Sequence, residues 1–461
     1  MNKLPTSRAS RRAFLQRAGQ LSLTGVAAPW ALNLAAMAEA SAQTASDYKA
    51  LVCVFLYGAN DHGNTLPPYD AATHANYVSI RGSLATARAN LAATALTPSV
   101  ALPGGRQMAL APELAPLKTL FDAGRMGVLL NVGTLIQPTT LAQYNARSVP
   151  LPPKLFSHND QQSVWQSSLP EGATSGWGGR VGDLFQSGNG KSTFTCVNVS
   201  GNAVFMSGRD AVQYQVSTTG SVALRGIQSP LYGSQACSDA LRAITTASRS
   251  HLMAAEHTRV MARAIDANTS LSAALATTPA LTTPFDAANP LATQLQMVAR
   301  MIAARSALGA KRQVFFVSLG GFDLHDFLVA QHPGLLTNVG GAIKSFYDAT
   351  VELGVANQVT TFTGSDFGRT LTSNGDGSDH GWGSHQFLVG GAVQGGRFHG
   401  QLPAFSVNGP DDVGQGRLLP TTSVDQLAAT LATWMGVSNS NLPLVVPNIG
   451  NYSVRDLGLL G

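Results

Sequence analysis

Three runs of this chain end in the same way, and that shared ending limits its fold more than any other feature. Residues 50–57 stop at Gly58-Ala59-Asn60-Asp61, residues 313–319 at Gly320-Gly321-Phe322-Asp323-Leu324-His325, and residues 358–363 at Gly364-Ser365-Asp366. A continuous apolar stretch with no polar alternation reads as a strand covered on both faces, as strands of a parallel sheet are. A fourth run at 126–132 and a fifth at 386–389 read as further strands. Helical spacing places helices over 112–122, 234–268, 291–308, 335–353 and 424–434, and the Ala-, Thr- and Pro-rich stretch 271–290 reads as a loop or lid. Strands alternating with helices predict an α/β fold, a doubly wound and mostly parallel sheet with helices on both faces and loop insertions. In such sheets the carboxyl ends of the strands carry the ligands.

Those ends carry the chain's concentrated chemistry. Asp323, His325, Asp366, Asp379, His380 and His385 fall within about sixty residues, and the first strand adds Asp61. Carboxylates and imidazoles in one place are the donor set of a divalent metal. Any one of them alone is as well explained by an Asx turn or a satisfied buried histidine. The set as a whole favours a metal site, although it matches no closed zinc-finger spacing.

Ser157, in the segment Lys154-Leu-Phe-Ser-His-Asn-Asp-Gln161, stands where a helix begins. It has two readings. As an N-cap it would satisfy a helix amide. As a nucleophile it would use the same helix terminus, and a nearby cation, to ease loss of its proton. The glycines from Gly390 to Gly395 follow no strand in the way a nucleotide fingerprint requires and read as a turn.

The amino terminus addresses the chain. Ser10-Arg11-Arg12-Ala13-Phe14-Leu15 is a twin-arginine pattern, followed by a weakly apolar stretch and by Ala40-Ser41-Ala42, a small-residue cleavage site. Pro29 and Asn33 interrupt the apolar stretch, so it falls short of the roughly 18 clean residues of a spanning helix. The reading is a cleaved signal peptide at 1–42, recognised by the twin-arginine translocase, and one domain at 43–461, periplasmic or secreted, with no stable membrane span after cleavage. The leader holds five of the chain's 30 lysines and arginines and one of its 25 acids. What remains is 25 cations against 24 anions, which gives no reason to expect a nucleic-acid partner. Of three cysteines, Cys53 reads as a buried thiol, and Cys196 with Cys237 either pair in an oxidising compartment or do not.

Taken together, the leader, Gly58-Ala-Asn-Asp61, Ser157-His-Asn-Asp-Gln161, Gly321-Phe-Asp-Leu-His325, Ser365-Asp-Phe-Gly-Arg-Thr370 and Asp379-His-Gly-Trp-Gly-Ser-His-Gln-Phe387 resemble a bacterial family of unknown function, numbered 1501. That family is grouped with the alkaline phosphatase and sulfatase superfamily. The resemblance spans nearly the whole mature chain. It implies a two-metal site, usually zinc or manganese, that hydrolyses phosphate or sulfate esters through a covalent intermediate. Carried over, Ser157 would be the nucleophile, and Asp61, Asp323, His325, Asp366 and His380 would be metal ligands. The superfamily's Asp-His pair is Asp366-Phe367 here, so an imidazole is missing unless Asp379, His380 or His385 supplies the donor. No Cys or Ser stands in the context from which sulfatases make formylglycine.

Two functions follow. One is an exported hydrolase of phosphate or sulfate esters holding one or two divalent ions, with a small-molecule ester or glycan as substrate. The other is a catalytically silent protein of the same fold, serving surface assembly or glycan binding.

Overall fold

The computed structural model describes residues 47–227 and 229–461. The leader lies outside the described residues. Twelve strands are used below: β1 Lys49–Leu56, β2 Met126–Gly133, β3 Cys196–Asn198, β4 Tyr214–Ser217, β5 Gly220–Ser221, β6 Arg312–Leu319, β7 Val359–Ser365, β8 Arg369–Ser373, β9 Ser378–His380, β10 Ser384–Gly390, β11 Arg397–His399 and β12 Thr422–Ser423. The α-helices of eight residues or more are α1 Ala71–Arg81, α2 Ala115–Asp122, α3 His158–Ser167, α4 Trp177–Phe185, α5 Gln235–Thr246, α6 Leu252–Thr277, α7 Pro290–Ala303, α8 Leu328–Glu352 and α9 Val424–Met435.

The main sheet runs β11-β2-β10-β7-β1-β6-β3-β4-β5, with β12 also on β2. It is α/β and mostly parallel, as the sequence predicts. One departure is β10, which runs antiparallel to both β2 and β7. The hairpin β8–β9 feeds straight back into β10, and so short a connection cannot return to the other end of the sheet for parallel pairing.

The alternation of β1 shows why both faces must be covered. Ala50, Val52, Val54 and Leu56 point into one core with Leu117, Leu295, Val339 and Ile343 from α2, α7 and α8. Leu51, Cys53 and Phe55 point into the other, with Trp177, Val181, Leu427 and Leu431 from α4 and α9. A fully buried aliphatic or aromatic side chain contributes roughly 1.5–3 kcal/mol, so a strand of this kind is stable only with helices on both sides.

Three predicted segments differ. The helix read over 234–268 is two, α5 and α6, broken at residues 247–251, where Ala-Ser-Arg-Ser-His offers only the Ala247 methyl as an apolar side chain. The loop read at 271–290 is helical as far as Thr277, because Leu271 and Ala274 continue the buried stripe of Ile265 and Asn268, and Pro279 follows its end. The helix read from 335 begins at Leu328 and runs through Pro333, six residues in, with His332 buried beside it. Cys53, Cys196 and Cys237 are all free thiols, the first two buried and the third exposed, so Cys196 and Cys237 do not pair.

The register fixes the site. Leu56 lies beside Leu319 on one side and Ser365 on the other, so β6, β1 and β7 finish level. Whatever follows them meets at one edge.

Candidate metal centre

Four segments converge at that edge. The loop after β6 brings Asp323 and His325, the end of β7 brings Asp366, the start of α3 brings His158, and β9 brings Asp379 and His380. The loop after β1 presses so closely on the β6 loop that a Cβ at Gly58 would sit 2.4 Å from the Asp323 nitrogen, and Gly58 holds φ +105°. Only glycine takes both the angle and the approach.

The geometry is that of converging lone pairs. His380 Nε2 lies 3.0 Å from His158 Nε2 and 2.9 Å from His325 Nε2. Asp323 Oδ1 lies 3.2 Å from His380 Nε2 and 3.1 Å from His325 Nε2, and its Oδ2 lies 3.4 Å from His158 Nε2. Each imidazole turns its other nitrogen to an acceptor. His158 Nδ1 donates to Asp366 Oδ2 at 2.5 Å, His325 Nδ1 to Asp379 Oδ1 at 3.1 Å, and His380 Nδ1 to the Phe156 carbonyl at 2.7 Å. Carbonyls and carboxylates cannot donate, so the three Nδ1 atoms carry the protons of these bonds and each Nε2 faces the cluster, with a lone pair wherever its ring is neutral. Three such lone pairs around a carboxylate repel unless a cation lies among them. This arrangement, an imidazole with its far nitrogen bound to an oxygen, is how metal-binding histidines are held.

His158, Asp323 and His380 each offer one donor atom, all within 4.8 Å of one another. Their side chains keep 24%, 44% and 24% exposure, enough for an ion and a substrate to reach them. The residues therefore fit a divalent cation, with His325 sharing the edge of the same cluster. Asp366 sits behind His158, takes Gln162 Nε2 at 2.8 Å and the Gly58 amide at 3.2 Å on Oδ2, and keeps a buried Oδ1 without a donor.

The surrounding charges fit the same account. Burial alone would raise the Asp323 carboxyl, but the Arg369 guanidinium, 2.6 Å away, holds it below the usual carboxylate range. Burial disfavours the His158 imidazolium, yet the Asp366 and Asp323 carboxylates raise its pKa above the ordinary value. His380 is lowered by burial and by the positive charge of its neighbours.

The turn that delivers this corner is strained. Lys154 and Phe156 both hold positive φ, at 44° and 71°, the left-handed region that disfavours branched and bulky side chains. Arg417 braces it, with Nε donating to the His380 carbonyl at 2.8 Å and its guanidinium 4.9 Å from the centre of the Phe156 ring. Ser157 is the residue before α3, but its hydroxyl makes no cap bond and instead donates to Asp160 Oδ2 at 2.9 Å.

Of the residues marked from the sequence, Asp323, His325, Asp366, Asp379 and His380 come together. Two stand apart. Asp61 accepts from Arg81 Nη2 at 2.6 Å, and His385 is buried on β10 with Nδ1 accepting the Asn131 amide at 3.1 Å, its ring edge-on to His62. His158 was not among the sequence candidates, although it adjoins Ser157 in the segment already singled out. Its signal was an imidazole at the first turn of a helix, two residues before Asp160.

Comparison with solved structures returns distant matches. The C-terminal periplasmic domain of EcEptC from Escherichia coli is 10% identical, with 90% of this chain and 88% of that one covered, at TM-score 0.38. PsFucS1 sulfatase from Pseudoalteromonas sp. is 8% identical, over 93% and 76%, at TM-score 0.36. Ps i-CgsB in complex with k-i-k-neocarrahexaose is 10% identical, over 88% and 77%, at TM-score 0.35. Overlaps this loose carry no residue-by-residue argument. Among curated proteins no significant match is found. The sequence profile described as "Protein of unknown function (DUF1501)" matches residues 48–444, most of the chain, and the protein therefore belongs to that family.

Proposed function

We propose that the protein is an exported, metal-dependent hydrolase of phosphate or sulfate esters. The observation that carries this reading is the meeting of three Nε2 atoms and one carboxylate at a solvent-reachable strand edge. Mixed imidazole and carboxylate donors suit zinc or manganese. A divalent ion bound there supplies Lewis-acid stabilisation of the charge that develops on a phosphoryl or sulfuryl oxygen.

The chain's own groups supply the rest of the chemistry. Ser157, one residue from His158, has its hydroxyl proton directed at the Asp160 carboxylate, so a base is already in hydrogen-bond contact. Attack by Oγ forms the new bond to phosphorus or sulfur as the alcohol oxygen leaves and takes up a proton, and water then releases the acid. Arg417, half-buried and without an acidic partner among the described residues, is suited to orient an anionic ester beside His380. The substrate is a small-molecule ester or a glycan carrying one. The twin-arginine leader makes the translocase a transient partner and the periplasm the site of action, and among the described residues no helix is long and apolar enough to cross a membrane.

A second reading has one observation in its favour. The Phe367 ring lies 4.8 Å from the His158 ring and 5.0 Å from the His380 ring, an apolar wall against the donors. A silent binding protein of the same fold would tolerate it. Aryl phosphate, phosphodiester and sulfate hydrolysis, measured after reconstitution with zinc or manganese, separates the two. Turnover that falls by several orders of magnitude in Ser157→Ala, at unchanged metal content, supports the hydrolase. A metal-loaded parent that cleaves none of these esters supports the silent protein.

A further inference from the structure

We infer that the centre takes one divalent ion, and that the buried guanidinium of Arg81 provides the positive charge that a second ion would otherwise supply at Asp61. This rests on the metal reading above and makes it specific in number.

Both oxygens of Asp61 are already bonded within the protein. Its Oδ2 accepts from Arg81 Nη2 at 2.6 Å and from the Ser378 hydroxyl at 2.9 Å, and its Oδ1 accepts the Asn64 amide at 2.9 Å. Both partners of the pair are closed to water, at 1% for the carboxylate side chain and 0% for the guanidinium. Gly63 makes the room, since a Cβ there would lie 2.9 Å from Arg81 Nη1 and 3.3 Å from Asp61 Oδ1. A pair this buried does not open for a passing ion, because either partner alone would be left as an uncompensated charge in low dielectric.

The pair nevertheless belongs to the centre. Ser378, which donates to Asp61, also lies 3.4 Å from Arg369 Nε, and Arg369 Nη1 lies 2.6 Å from Asp323 Oδ1. Arg81, Asp61, Arg369 and Asp323 thus alternate in sign along one line that ends at the cluster. Each of these two carboxylates has its own guanidinium. A second dication beside Asp61 would face two fixed positive charges and would have to displace one of them. On the side of the cluster, Phe367 packs an apolar ring on the His158 and His380 rings. By contrast, the space among His158, Asp323 and His380 holds lone pairs with only Arg369 to balance them.

Metal content of the full chain, measured by elemental analysis after equilibration with excess zinc or manganese and removal of free ion, tests this. The expected result is one ion per chain in the parent and in Asp61→Asn, and less than a tenth of an ion in Asp323→Asn. Two ions in the parent overturn the inference while leaving the metal reading intact. None in the parent overturns the metal reading itself. Loss of the ion in a folded Asp61→Asn assigns Asp61 as a ligand and overturns the inference. If that variant does not fold, titration of the parent against a chromophoric chelator decides, one class of site supporting the inference and two equal classes refuting it.

Discussion

Replacing Arg81 by methionine tests whether the Asp61–Arg81 pair holds the strand edge together. The methionine keeps most of the aliphatic volume and removes the charge, so the loss reports the stranded carboxylate rather than a cavity. Asp61 would keep the Ser378 hydroxyl and the Asn64 amide but lose its one cation at 2.6 Å. Breaking a buried pair on one side costs about 3–5 kcal/mol. With an unfolding entropy of about 2.1 cal/mol/K per residue over roughly 415 residues, that corresponds to a fall in Tm of about 3–6 °C. The sign with pH is also fixed. In the parent, burial would raise the Asp61 carboxyl, but Arg81 first, with His332 and His62, holds it far below its usual value, so the pair's stability is present above about pH 4 and is lost as pH falls further. In Arg81→Met burial acts unopposed by the guanidinium, and the deficit grows as pH rises. Differential scanning fluorimetry at pH 5 and pH 8 reads both effects, and Asp61→Asn alone and with Arg81→Met completes the cycle. Because the double variant strands no charge, it should lose several kcal/mol less than the sum of the singles. Additive losses, or an Arg81→Met that melts within 1 °C of the parent at pH 8, would refute the reasoning.

Other outcomes follow from single sites. Asp425, buried near the start of α9 and accepting from Ser168, is raised by burial to about 6, so the folded state favours its protonated form. Stability should fall as pH rises from about 4 to 6, and Asp425→Asn should be more stable than the parent at pH 8 by up to about 3 kcal/mol with no difference below pH 4; an unchanged pH profile in the variant counts against it. Of the three thiols, burial pushes Cys53 well up and Cys196 up to about 12, so a thiol reagent should modify one cysteine in the native protein, lost in Cys237→Ser, and three after unfolding. Arg11→Lys with Arg12→Lys should keep the precursor in the cytoplasm, seen by fractionation, and periplasmic arrival of that double variant would remove the twin-arginine assignment.

What could be read from the sequence was local. Apolar runs closed by glycine located β1, β2, β6 and β7, because burial on both faces leaves no polar alternation. The residues just past those runs, Asp323, His325 and Asp366, reached the cluster for the same reason. Sequence could not show which strands are neighbours, and adjacency decides the rest. Asp61 follows the first strand as Asp323 follows the sixth, yet Arg81 at the end of α1 claims it, and no spacing rule links residues 61 and 81. His385 sits two positions after a loop glycine but points into the sheet from a strand whose antiparallel placement was not foreseen. His158 receives no ligand role from the sequence because a serine at a helix start draws the chemical reading to its hydroxyl. The break between α5 and α6 was missed because alanine-rich spacing on either side reads as continuous.

The central claim is the position of the ion, and anomalous diffraction from a zinc-equilibrated crystal addresses it most directly. A single anomalous peak within coordination distance of His158 Nε2, His380 Nε2 and the Asp323 carboxylate, with nothing beside Asp61, is the predicted result. A map whose strongest peak lies at the His62–His385 pair or at Asp61, with the cluster empty, would contradict it.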